Sequence, residues 1–109
     1  MKEKIQNMTL KELESSIEEL SKSYGSCKRT IEVNEAYGVN FGDKDINNVK
    51  AVKYTFDLTI DQLKGLDYII IDNEVRKGRD GYWYLEYMSV STYYRVRKKA
   101  YTNFIRCLY

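Results

Sequence analysis

Histidine and proline are both absent from the 109 residues, and cysteine occurs only twice. Without histidine the chain lacks the side chain most often used as a general base near neutral pH, and the commonest metal ligand. Without proline there are no cis-proline turns and no stiff proline-rich linkers. Cys27 and Cys107 are far apart and form no Cys-x-x-Cys pair of the zinc or redox type. In a chain read as cytoplasmic they are expected as two free thiols rather than a disulfide. No apolar run approaches the roughly 18 residues of a membrane span, and Met1–Gln6 carries no apolar signal-peptide segment. The expectation is a cytoplasmic protein with no membrane association. The acidic residues Asp67, Asp72 and Glu74 have no ion-loop spacing and read as a solvated helix face or helix end. Gly78-Arg79-Asp80-Gly81 lacks the spacing of a phosphate loop. No catalytic residue, metal ligand or cofactor is expected, and the chain is not expected to be an enzyme.

What the sequence does contain is an ordinary globular composition, 43% apolar and 31% charged, with 11 tyrosines. Its length suits one domain. The net charge of +2 conceals a strong asymmetry. Residues 1–75 hold 10 Lys/Arg against 14 Asp/Glu, whereas residues 76–109 hold eight against two. The basic third also carries seven of the tyrosines and the single tryptophan, Trp83. Such a charge difference points to a polyanionic partner.

Periodicity predicts an all-α fold, a small helical domain with a C-terminal helix-turn-helix. Met1–Met8 reads as a frayed start or a lead-in turn. Thr9-Leu10-Lys11-Glu12 has the form of a capping box. Leu10, Leu13, Ile17, Leu20 and Tyr24 then make one narrow stripe, which predicts a helix over about 10–24 with Gly25 as its C-terminal stop. The stripe suits packing on the core, with a second copy of the chain as the alternative. Residues 26–42 admit a short helix around Ile31 or a strand, followed by a loop at Gly38, Asn40 and Gly42. Ile46, Val49, Val52 and Phe56 fit a helix, although Val52–Phe56 also alternates like a strand. Thr59-Ile60-Asp61-Gln62 repeats the capping-box pattern and predicts a helix over about 60–76, with a strand at Tyr68–Ile71 as the lesser alternative. Gly78 and Gly81 bracket a tight connection.

Residues 82–88 read as one or two helical turns and Ser89-Val90-Ser91 as a break. Ser91 is a natural N-cap for a helix over 92–108. Its inner face would carry Tyr93, Val96, Ala100, Phe104, Cys107 and Leu108, and its outer face Thr92, Arg95, Lys98, Lys99 and Thr102. A short helix, a break and a longer basic helix make a helix-turn-helix pattern, in which the second helix enters the major groove.

The string Ser89-Val90-Ser91-Thr92-Tyr93-Tyr94-Arg95-Val96-Arg97-Lys98-Lys99-Ala100 resembles the recognition region of the ArpU/RinA group of phage-type transcriptional regulators. Those proteins look like sigma-factor region 4. The resemblance covers roughly residues 59–108 and implies a DNA-binding transcriptional regulator, with Ser91 to Lys99 opening the recognition helix. The chain departs from the group in the Tyr- and Trp-rich segment before the turn, where the group usually shows Glu and small residues.

Residues 1–109 are thus expected as one domain. Residues 1–58 form an N-terminal helical part that offers a dimer or partner surface, and residues 59–109 the helix-turn-helix part. Nucleic-acid contacts are expected from Ser91, Thr92, Tyr94, Arg95, Arg97, Lys98 and Lys99, flanked by Lys77 and Arg79. The partners would be double-stranded DNA and either a second copy or RNA polymerase. One alternative is RNA binding, with bases stacked on Tyr82, Tyr84, Tyr87 and Tyr93 if these are exposed. The other is a protein-interaction adaptor working through the Leu10–Tyr24 helix.

Overall fold

A computed structural model describes residues 7–37 and 43–109. The expectations for Met1–Gln6 and for the Gly38, Asn40 and Gly42 loop lie outside the described residues. All regular elements among the described residues are helical: α1 (Leu10–Tyr37), α2 (Asp43–Gln62), α3 (Gly65–Ile71) running into a π turn (Asp72–Arg76), a 3₁₀ turn (Trp83–Glu86) and α4 (Val90–Leu108). The strand alternatives at residues 31–35, 52–56 and 68–71 are therefore not realised. No helix among the described residues is long and apolar enough to cross a membrane.

The first capping box forms as its residues dictate. Thr9 Oγ1 accepts from the Glu12 amide at 3.2 Å, and the Thr9 amide donates to Glu12 Oε1 at 3.2 Å. Helix α1 does not stop at Gly25. Only Gly65, Gly78 and Gly81 take positive φ among the described residues, so Gly25 makes no left-handed cap and the helix runs on to Tyr37. Its buried side chains, Leu13, Ile17 and Tyr24, all precede Gly25.

The second capping box does not form. Thr59 lies inside α2, where its hydroxyl donates to the Thr55 carbonyl at 2.7 Å instead of serving a helix start. The helix expected over 60–76 is accordingly split. Leu63 and Lys64 break it, and Gly65 restarts it at φ +60°, a conformation other residues adopt only with strain. Its far end widens into the π turn. Gly78 and Gly81 do bracket the connection to the 3₁₀ turn, both at positive φ.

Helices α1 and α2 form an antiparallel hairpin. Tyr24 meets Phe56 edge-on at 5.7 Å, and its hydroxyl donates to Asp57 Oδ1 at 2.9 Å. Helices α3 and α4 close the core of Leu13, Ile17, Phe56, Ile60, Ile70, Ile71, Val75, Ala100, Phe104 and Ile105. Of the two alternatives for the α1 stripe, the chain's own core takes it, with Leu13 and Ile17 buried and Leu10 and Leu20 packed at the edge. The inner face of α4 buries Tyr93, Ala100 and Phe104 as expected, and Val96 and Leu108 partly. It also buries Tyr101 and Ile105, whereas Cys107 is exposed.

One aromatic knot joins the 3₁₀ turn to α4. Tyr84 stacks on Tyr93 with ring centroids 3.9 Å apart, and Trp83 stands edge-on to both.

Candidate functional site

Helix α4 begins earlier than its sequence suggests. Ser89, not Ser91, is the N-cap. Its extended backbone lets Oγ accept from the Thr92 amide at 3.2 Å, while its hydroxyl donates to Thr92 Oγ1 at 2.9 Å. Ser91 therefore sits inside the first turn, exposed. From there Ser91, Arg95, Lys98, Lys99 and Thr102 fall within roughly 100° of arc on the helix surface, opposite the buried face. Arg95, Lys98 and Lys99 are all exposed, and no carboxylate among the described residues lies in salt-bridge range of any of them. Tyr94 stands beside this stripe, 56% exposed.

The other predicted cations have partners within the fold. Arg97 points inward, its side chain 12% exposed and ion-paired with Glu14 of α1. Its guanidinium lies over the rings of Tyr94, Tyr93 and Tyr101 at 5.2, 5.6 and 6.0 Å. Arg79 donates to Glu86 Oε1 at 2.7 Å and to Asn73 Oδ1 at 3.1 Å. Lys77 lies 3.5 Å from Asp72 Oδ2. Arg76 is the most committed, bonding Asp61 and Asp72 at 2.7 Å and Asp57 at 3.2 Å. Burial pushes its pKa down, but these three carboxylates outweigh burial and hold it above its ordinary value. The structure thus gathers Ser91, Arg95, Lys98 and Lys99 on one open face with Tyr94 at its border. Thr92 is drawn into the cap, Arg97 into an internal pair, Arg79 into a surface pair with Glu86, and Lys77 keeps only a long contact to Asp72.

The tyrosines divide in the same way. Tyr84 and Tyr93 are buried, whereas Tyr82 and Tyr87 are exposed. Leu85, Val90 and Tyr94 are exposed as well, so the segment 82–94 that leads into α4 carries five exposed apolar side chains.

Of the two readings of Asp67, Asp72 and Glu74, the helix end holds for Asp72 and Glu74, which lie in the π turn, whereas a solvated face does not, because each carboxylate has its own partner. Asp67 accepts from Asn103 Nδ2 at 2.8 Å, and Asp72 holds Arg76. Glu74 collects three donors: the Trp83 indole N–H at 3.1 Å and the hydroxyls of Tyr93 and Tyr101. Burial first, and the Glu74 carboxylate next, push the Tyr93 hydroxyl well above the ordinary tyrosine value. Tyr101 is raised by burial and then by the Glu74 charge. This network floors an open cleft of about 570 Å³ walled by Glu14, Glu18 and Lys22 on one side and Arg79 and Asp80 on the other. The sequence held one signal for it, an acidic cluster of Asp67, Asp72 and Glu74 shortly before the Tyr- and Trp-rich segment. Nothing there marked the π turn that aims the carboxylate at α4. No group of three or more Cys, Asp or Glu among the described residues could hold a metal ion.

No family model matches the chain, and no curated protein and no solved structure matches it either.

Proposed function

We propose that this chain is a DNA-binding protein, read as a transcriptional regulator, that lays the outer stripe of α4 against a duplex. The observation that carries the reading is the sorting of cations in the basic third. Arg76 and Arg97 are paired inside the fold, Arg79 holds Glu86 at its surface and Lys77 only a long contact to Asp72, while Arg95, Lys98 and Lys99 stand on one exposed face without a carboxylate partner among the described residues. Unpaired cations on a rigid helix suit phosphates, and Arg95 has the donor fork for a guanine edge. A helix of 19 residues spans about 28 Å, and the major groove admits one. In this reading the 3₁₀ turn, residues 87–89 and α4 act as a short helix-turn-helix, with Ser91 and Arg95 nearest the bases. Tyr94 and the neighbouring apolar surface would meet sugars and thymine methyl groups. A second copy or RNA polymerase would be met by outer faces of the α1–α2 hairpin, since the inner stripe of α1 is taken.

The test is anisotropy of a labelled duplex across a salt series, with single-stranded RNA in parallel. Wild type should show a log–log salt slope of several units, and Arg95→Ala with Lys98→Ala should lower that slope by about two. The double variant should keep the wild-type melting temperature, since both side chains are exposed. Equal duplex affinity in the variant would remove α4 from the interface. Tighter binding to RNA would move the reading to unpaired bases stacked on Tyr82, Tyr87 and Tyr94.

A further inference from the structure

A second cleft, of about 450 Å³, opens between α1 and the turn after the π turn, away from the stripe residues of α4. Its walls carry Lys22, Lys28, Arg29, Arg76 and Lys77 against a single acid, Glu32. Arg76 is committed to its three aspartates. Lys22 and Lys77 hold only loose, exposed contacts, to Glu18 at 3.4 Å and to Asp72 at 3.5 Å. Lys28 and Arg29 have no carboxylate within salt-bridge range among the described residues.

Gly25 adds an independent observation. It lies in the middle of α1 without positive φ, so the backbone does not require glycine there. Glycine at such a position weakens a helix. A Cβ at Gly25 would stand 3.3 Å from Arg29 Nη1. The Arg29 guanidinium thus lies close over Gly25, and both residues line the cleft.

We propose that this cleft binds a phosphoryl-bearing anion, with Arg29 as its forked donor and Lys22, Lys28 and Lys77 as surrounding point charges. Four cations with no strong internal commitment favour a multiply charged anion over a single carboxylate, which would leave most of them facing one another. A guanidinium matches two phosphoryl oxygens at once. The phosphoryl group has two sources, a free polyphosphate or the backbone of a nucleic acid. The site stands independently of the α4 reading.

The experiment titrates pyrophosphate into the full chain by calorimetry at constant ionic strength, comparing wild type with Arg29→Gln and Gly25→Ala. Duplex anisotropy is measured on the same three proteins. Saturable pyrophosphate binding, weakened about tenfold in Arg29→Gln by loss of a charge-assisted contact, supports a free anion as ligand. Gly25→Ala should weaken it less than Arg29→Gln and without lowering the melting temperature, because alanine strengthens a helix while its Cβ shifts the guanidinium by only a few tenths of an ångström. If pyrophosphate does not bind but Arg29→Gln weakens duplex binding, the cleft takes backbone phosphates. Pyrophosphate binding that neither variant alters overturns the proposal, as does the absence of any effect in both assays. The Arg95→Ala with Lys98→Ala protein separates the two surfaces: loss of duplex binding with pyrophosphate binding intact belongs to α4 alone.

Discussion

Glu74 accepts from one indole N–H and two phenol hydroxyls, so the aromatic knot and α4 share one carboxyl anchor. Glu74→Gln replaces an acceptor oxygen with a donor facing donors, and should cost about 2 kcal/mol in chemical denaturation. The two phenols also predict alkaline behaviour. Their pKa values are raised by folding, so the folded state holds their protons more tightly than the unfolded chain does. The stability they contribute is full below about pH 10, the ordinary tyrosine value, and is lost as pH rises through the folded values. The melting temperature should therefore fall steeply above about pH 10, and Tyr101→Phe should make that fall shallower. At this scale the sequence was legible where one residue type has one use. Thr9 and Glu12 could form a capping box, and Ala100 could only be a close contact. It was not legible for Arg97, whose place in a run of cations reads as solvent-facing although Glu14 and three tyrosine rings enclose it.

Among the elements, local grammar worked at the strongly periodic helices and failed at their ends. Thr59 and Ser91 both satisfy the rule for a helix start, yet Thr59 bonds back to its own helix and Ser89 takes the cap two residues before Ser91. Two glycines show the same ambiguity with opposite outcomes. Gly25 has the sequence position of a stop signal and is helical, whereas Gly65 falls inside the helix expected over 60–76 and restarts it at positive φ after the break at Leu63 and Lys64. A Cβ at Gly65 would meet nothing within 4 Å, so the cost of Gly65→Ala is conformational alone. It should destabilise by about 1–2 kcal/mol, measurable by thermal melting. Ser89→Ala should cost about 1 kcal/mol through the lost cap. Ser91→Ala should cost close to nothing, which tests the reassigned helix start directly.

The whole molecule is longer than its chain length implies. Its Cα radius of gyration is 15.3 Å, against about 13 Å for a compact chain of this size, and its extents are 47 × 33 × 23 Å. The cause is α1, which at 28 residues runs about 42 Å and buries nothing after Tyr24. Amides of residues 26–36 should exchange with deuterium faster than those of residues 13–24, because only the latter lie over buried side chains. Charge is organised at this scale too. Among the described residues, cations without a carboxylate partner gather on α4 and at Lys28 and Arg29 of α1, two surfaces that no local window of sequence could bring into one view. The π turn sets how these halves face each other. It holds one residue more than the α turn it replaces, and removing a residue there would rotate the C-terminal remainder of the chain by about 100°. Heredity should respect that constraint. A descendant of the same ancestor that is one residue shorter between Asp72 and Arg76 should also have given up the indole and phenol partners at 83, 93 and 101. In any lineage the gap and those aromatic losses should be inherited together.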